Sequence, residues 1–176
     1  MSQFALRLPD PAATTDAQFA SAIATLASMP DFIADLLAEI PSDQLARKPK
    51  AGDDQFSVLE QICHLRDIEI EAYAVRLRRI LTETRPELQG VNGGQLARER
   101  NYQQQGAGSA FAAFLEAREK NMSRLRTLTP QELERTALMA GVGEITLAQL
   151  VAMWVEHDEG HRSELAEMQE EIREAP

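Results

Sequence analysis

Near the C-terminus, His157-Asp158-Glu159-Gly160-His161 sets two imidazoles four residues apart, a spacing that puts both on one face of a helix. The chain has three histidines in all, and the third, His64, lies far upstream. Two imidazoles on adjacent helical turns can bind one ion if a facing helix supplies the third nitrogen. Three protein ligands leave coordination positions open, as a catalytic site requires. An ion held this way could lower the pKa of a bound water to about 7, or keep a thiol cosubstrate as thiolate at neutral pH. Nitrogen ligands admit the divalent ions of Zn, Ni, Fe, Co or Mn, with Zn or Ni favoured.

The stripe around the pair reads Leu147, Leu150, Trp154, His157, His161, Leu165, Met168, Ile172. Both histidines stand where leucine is expected, and an unsatisfied buried polar group costs about 1–3 kcal/mol. A pair of core histidines satisfied by carboxylates or carbonyls is the bland alternative. The shared inward face and the third histidine favour the metal. A zinc-protease motif fits poorly: its general base is a glutamate after the first histidine, and here that position is Asp158.

Helices must position these groups. Ala, Leu, Glu, Arg and Gln abound, so helix is the default. Thr15-Asp16-Ala17-Gln18 forms a capping box and predicts a helix over 15–40, bent near Met29-Pro30. A polar connector covers 42–55. Ser57-Val58-Leu59-Glu60 opens a second helix to about Thr84, with Val58, Ile62, Leu65, Ala72 and Ile80 on its apolar face and His64 at the edge. Residues 85–108 are glycine-rich and read as a long crossover, with a short helix over Leu96–Gln103; lacking a Lys-Ser/Thr pair, Gly93-Gly94 is no phosphate loop. A third long helix begins near Ser109, Thr129-Pro130 starts a short one, and Gly141 and Gly143 bracket a turn. Thr146-Leu147-Ala148-Gln149 caps the last helix, to about Arg173. The pattern predicts an all-α four-helix bundle with a long crossover connection, one domain over 1–176, with an extended arm at 1–13 and no strands.

Asp67 and Glu60 are candidates to orient His64 through its second ring nitrogen, and Glu164 to orient His161; a solvated carboxylate is the alternative for each. Arg118 falls on the core stripe of the third helix. It either snorkels, pairs with a buried carboxylate such as Asp67 or Glu71, or meets an anionic substrate group; the ion pair is the reading preferred. Cys63 sits about 100° round the helix from His64 and reads as a packed thiol.

The net charge of −10 argues against nucleic acid and disfavours an anionic membrane surface as partner. With a single cysteine, no signal-peptide pattern in 1–13 and no apolar run of membrane-spanning character, a reducing cytoplasm is expected.

Phe56-Ser57, His64-Leu65-x-Asp67, Trp154 and His157-Asp158-x-x-His161 together resemble the DinB-like (YfiT-like) superfamily of damage-inducible, metal-binding four-helix bundles. The resemblance covers roughly residues 20–170. It implies His64, His157 and His161 as metal ligands, and it differs at Phe56, where many relatives have tryptophan. Relatives include thiol-dependent transferases using bacillithiol or mycothiol, a maleylpyruvate isomerase and metal-dependent hydrolases. The expectation is therefore a metal-dependent thiol S-transferase or hydrolase acting on a small molecule, with a low-molecular-weight thiol as one cosubstrate. A homodimer is expected, with Gly160 permitting close helix approach. No catalytic side chain is assigned. The rival is a non-catalytic metal-binding or stress-response bundle acting through protein partners.

Overall fold

The computed structural model describes residues 15–50 and 55–174. The arm expected at 1–13 and part of the polar connector lie outside them. Helix α1 (Asp16–Glu39) starts at a complete Thr15/Gln18 capping box and runs through Pro30 as one helix. Leu26, Met29, Ile33 and Leu36, spaced three and four apart, form its buried face. By length and composition α1 is apolar enough to cross a membrane, with mean hydropathy 1.3 over 18 residues, contrary to the sequence expectation. In this fold it is a bundle helix packed along the last helix.

The second long helix is not uniform. It comprises α2 (Val58–Ile68), a π-helical turn at Glu69–Tyr73, and α3 (Ala74–Thr82). Glu69, Ala72 and Tyr73 of the π turn are buried, on the side of Ile62, Leu65 and Ile80. Helix α2 is not amphipathic: every residue but Arg66 is buried, Glu60, Gln61 and Asp67 included.

The crossover holds β1 (Glu87–Leu88), α4 (Gly93–Glu99) and a 3₁₀ turn at Tyr102–Gln104. The single short helix expected there is broken at Asn101, whose φ of 49° is left-handed. Helix α5 (Ala107–Leu125) packs along α2. Next come α6 (Pro130–Leu133), β2 (Thr136–Met139), β3 (Gly143–Thr146) and α7 (Leu147–Arg173). The absence of strands is thus corrected: β1 pairs parallel with β2, and β2 antiparallel with β3. Segments of two to four residues are too short to show period-2 alternation. Gly141 and Gly143 turn the hairpin with φ of 78° and 108°, conformations that suit glycine. The hairpin delivers Thr146, whose capping box with Gln149 starts α7.

The four long helices enclose an apolar core in two halves. One gathers Leu26, Ile68, Ile80, Met122 and Trp154; the other gathers Met29, Ile62, Leu65, Phe114 and Leu165. Between them, α5 carries Arg118 and Asn121, the π turn carries Glu69, and α7 carries His157, Asp158 and His161.

Candidate metal centre

His64 on α2 faces His157 and His161 on α7. The Nε2 atoms of His157 and His64 are 3.4 Å apart, and those of His161 and His157 3.2 Å. All three ligand atoms lie within 4.8 Å of one another. Zinc–nitrogen bonds of about 2.0–2.1 Å in a tetrahedron place their nitrogens about 3.3–3.4 Å apart. A neutral imidazole has one N–H, so three Nε2 atoms at this range cannot all be satisfied by one another; a cation at their centre satisfies all three. The donor set therefore fits a divalent transition ion.

Electrostatics favour the ligand form. Burial, followed by the neighbouring His161 and His157, holds His64 well below its ordinary pKa, and burial lowers His157 as well. Both are thus neutral near pH 7, the state that binds metal. His64 is 9% exposed, while the side chains of His157 and His161 keep 23% and 15%. The centre is closed on the α2 side and reachable along α7.

The Nδ1 edges have different surroundings. His161 Nδ1 lies 3.4 Å from Glu164 Oε2, whose carboxylate also accepts from Gln61 Nε2 at 2.6 Å. The nearby His161 and the Gln61 hydrogen bond keep Glu164 below the usual carboxylate range. His157 Nδ1 lies 3.7 Å from Asp158 Oδ1, a buried oxygen with no hydrogen bond of its own among the described residues. His64 has the Phe56 ring at 5.5 Å between centroids and no hydrogen-bond partner on Nδ1. Tyr73, stacked on Trp154 at 4.4 Å, meets His157 edge-on at 5.7 Å.

The model of the DinB superfamily matches residues 13–165. The chain belongs to that superfamily. YfiT from Bacillus subtilis, a probable metal-dependent hydrolase with an unusual four-helix bundle topology, has a similar structure. The TM-score is 0.81 at 21% identity, over 92% of this chain and 91% of that one, a likeness of fold. No curated protein matches the chain.

Behind His157, this DinB-superfamily chain buries a charged layer. Arg118, 1% exposed, donates to Glu69 through Nε at 3.0 Å and Nη2 at 2.9 Å. Its Nη1 reaches Asp158 Oδ2 and the Leu26 carbonyl, both at 2.7 Å. Asn121 and Trp154 also donate to Glu69, at 2.8 and 3.2 Å. Burial, with the nearby Asp158, pushes Glu69 up, while four N–H donors, two from Arg118 and one each from Asn121 and Trp154, converge on its carboxylate and favour the ionised form. Burial also opposes the charge on Asp158, yet the nearby His157 and the Arg118 hydrogen bond prevail and its pKa is lowered. Two carboxylates against one guanidinium leave this layer one negative charge, which complements a cation beyond His157.

Arg118 is thus the structural ion pair expected, but with Glu69 and Asp158. The partners named from sequence are engaged elsewhere: Glu71 binds Arg100, and Asp67 binds Arg66, Arg100 and Tyr102. Asp67 therefore does not orient His64 by direct contact. Glu60 does not either, because its carboxylate takes the Ser57 N–H and Lys48 Nζ at 2.7 and 2.6 Å. Among the four candidates, Glu164 alone adjoins a histidine. Cys63 is buried, its Sγ 3.6 Å from Gln105 Oε1, and burial raises its thiol to about 11. Sequence reasoning missed Asp158 as a neighbour of His157, although it stands in the motif, and missed Glu69, although a regular helical count sets it between Val58 and Ile62 on the apolar face.

Proposed function

We propose that His64, His157 and His161 hold one divalent transition ion, zinc or nickel first, in a metal-dependent enzyme that hydrolyses a small molecule or transfers a low-molecular-weight thiol to one. The observation that carries this reading is the convergence of the three histidines, with His157 Nε2 at tetrahedral-edge distance from both His64 Nε2 and His161 Nε2 and all three ligand atoms within 4.8 Å, and with His157 partly accessible. The fold likeness to YfiT, a probable metal-dependent hydrolase, supports it. A bound ion would supply Lewis acidity that lowers the pKa of water or of a thiol. The chain's own groups act around it. Glu164 and Asp158 flank the outer nitrogens of His161 and His157 and raise their basicity, and Gln61 fixes Glu164. The Arg118 layer keeps Asp158 ionised. The proposed compartment is the cytoplasm and the proposed assembly a homodimer; a monomer by light scattering at micromolar concentration would remove the latter.

The test is a turnover screen of the metal-loaded protein on small ester and amide substrates, and on an electrophile with bacillithiol. Activity lost in His161→Ala supports the reading, and the active set separates hydrolysis from transfer. If metal binds but no substrate or thiol shifts the melting temperature or turns over, the non-catalytic bundle gains.

A further inference from the structure

The glycine-rich crossover has no role in the site as sequence analysis reads it, yet it touches one of the three histidines. Gly93 is the first residue of α4, after the Asn92 cap. A Cβ added there would stand 2.4 Å from His64 Cε1 and 2.6 Å from Nδ1, closer than real Cβ atoms come to anything. The glycine is needed for this approach and not for its backbone angles, because its φ is not among the positive ones. Gly90, in the same segment, would place a Cβ in open space.

His64 is also the histidine that no carboxylate flanks. All three Nδ1 atoms are buried without a hydrogen bond among the described residues, but those of His157 and His161 have a carboxylate oxygen at 3.7 and 3.4 Å, from Asp158 and Glu164, and that of His64 has none. Its ring is confined by shape: Phe56 on one side and Gly93 at the Nδ1–Cε1 edge.

The crossover is in turn clasped by the helix that carries His64. Tyr102 Oη donates to Asp67 Oδ2 at 2.5 Å, and Arg100 Nη1 reaches Asp67 Oδ2 at 2.8 Å and Glu71 Oε1 at 2.5 Å. Arg66 Nη1 donates to Gln105 Oε1 at 2.7 Å, and Gln103 Nε2 to Ser57 Oγ at 3.2 Å. These anchors lie on both sides of His64 along α2, so the segment presses on the ring between them.

We propose that the crossover is a positioning element of the metal centre, with Gly93 setting the His64 imidazole and the Asp67–Tyr102–Arg100 clasp holding Gly93 in place. This rests on the three-histidine metal reading. Asp67 then serves His64 through the crossover. Because coupling is reciprocal, an ion that fixes His64 also tightens the crossover on α2.

The experiment uses full-length protein stripped by chelation and titrated with Zn²⁺ against a chromophoric competitor. Gly93→Ala is expected to weaken zinc binding on the order of 10–100-fold, the range for groups that orient a ligand, while Gly90→Ala keeps the wild-type Kd. Hydrogen exchange of 92–105 in the wild type is expected to slow on zinc binding. Wild-type affinity in Gly93→Ala overturns the proposal. If Gly93→Ala does not fold, Tyr102→Phe loosens the clasp without touching His64: weaker zinc binding with faster exchange of 92–105 supports the proposal, and unchanged affinity overturns it. A wild type that binds zinc no better than His157→Ala refutes the metal centre itself, a separate and recognisable failure.

Discussion

Arg118→Met replaces the guanidinium at the centre of the bundle by an apolar side chain of similar length. The lost contacts are the fork to Glu69 at 3.0 and 2.9 Å and the bonds to Asp158 and the Leu26 carbonyl at 2.7 Å. Glu69 and Asp158, each 1% exposed, would be left without their cation. Breaking a buried pair by removing one partner costs about 3–5 kcal/mol, mostly the penalty of the stranded charge. For a chain of this size each kcal/mol moves the melting temperature by about 2–4 °C, so the expected fall is about 6–20 °C. Calorimetry of the metal-free protein at pH 7 measures it. The penalty belongs to the charges, so adding Glu69→Gln to Arg118→Met must cost less than the two changes separately. A loss under about 1 kcal/mol, or strict additivity of the pair, would refute the reasoning.

Acid provides a second test. His64 and His157 have folded pKa values below 6.5, so below that pH the unfolded chain binds protons that the folded chain does not. Stability of the metal-free protein must therefore fall as pH drops through 6.5, by up to about 1.4 kcal/mol per pH unit for each histidine; equal urea midpoints at pH 7.5 and 5.5 would contradict this. Glu164→Ala is expected to weaken metal binding about 10–100-fold, whereas the exposed Glu156→Ala leaves it unchanged, both read by competition titration. Cys63, buried and with its thiol raised to about 11, should resist a disulfide reagent at pH 8 in the folded protein and react at once in denaturant.

Helix starts were legible because capping is local chemistry. Thr15, Ser57, Thr129 and Thr146 each accept from the backbone three residues on, and each third residue reaches back. The meeting of three histidines was legible because two displace leucines on one stripe and the third borders a second stripe. What did not follow has more than one source. At 100° per residue Glu69 falls between Val58 and Ile62 on the apolar face, so its inward position was open to a regular count, yet Arg118 was paired with Asp67 or Glu71 and not with Glu69. Asp67 and Glu60 stand near His64 in sequence, yet basic and hydroxyl groups from distant segments claim them first. Gly93 is invisible to pattern reading, since its importance is the absence of a side chain where an imidazole lies.

The central claim is that three histidines hold one ion, and elemental analysis of the full-length protein, purified without an affinity tag, tests it most directly. One divalent transition ion per chain, lost in His157→Ala, is the predicted result. Substoichiometric metal that does not change between wild type and His157→Ala would contradict the account.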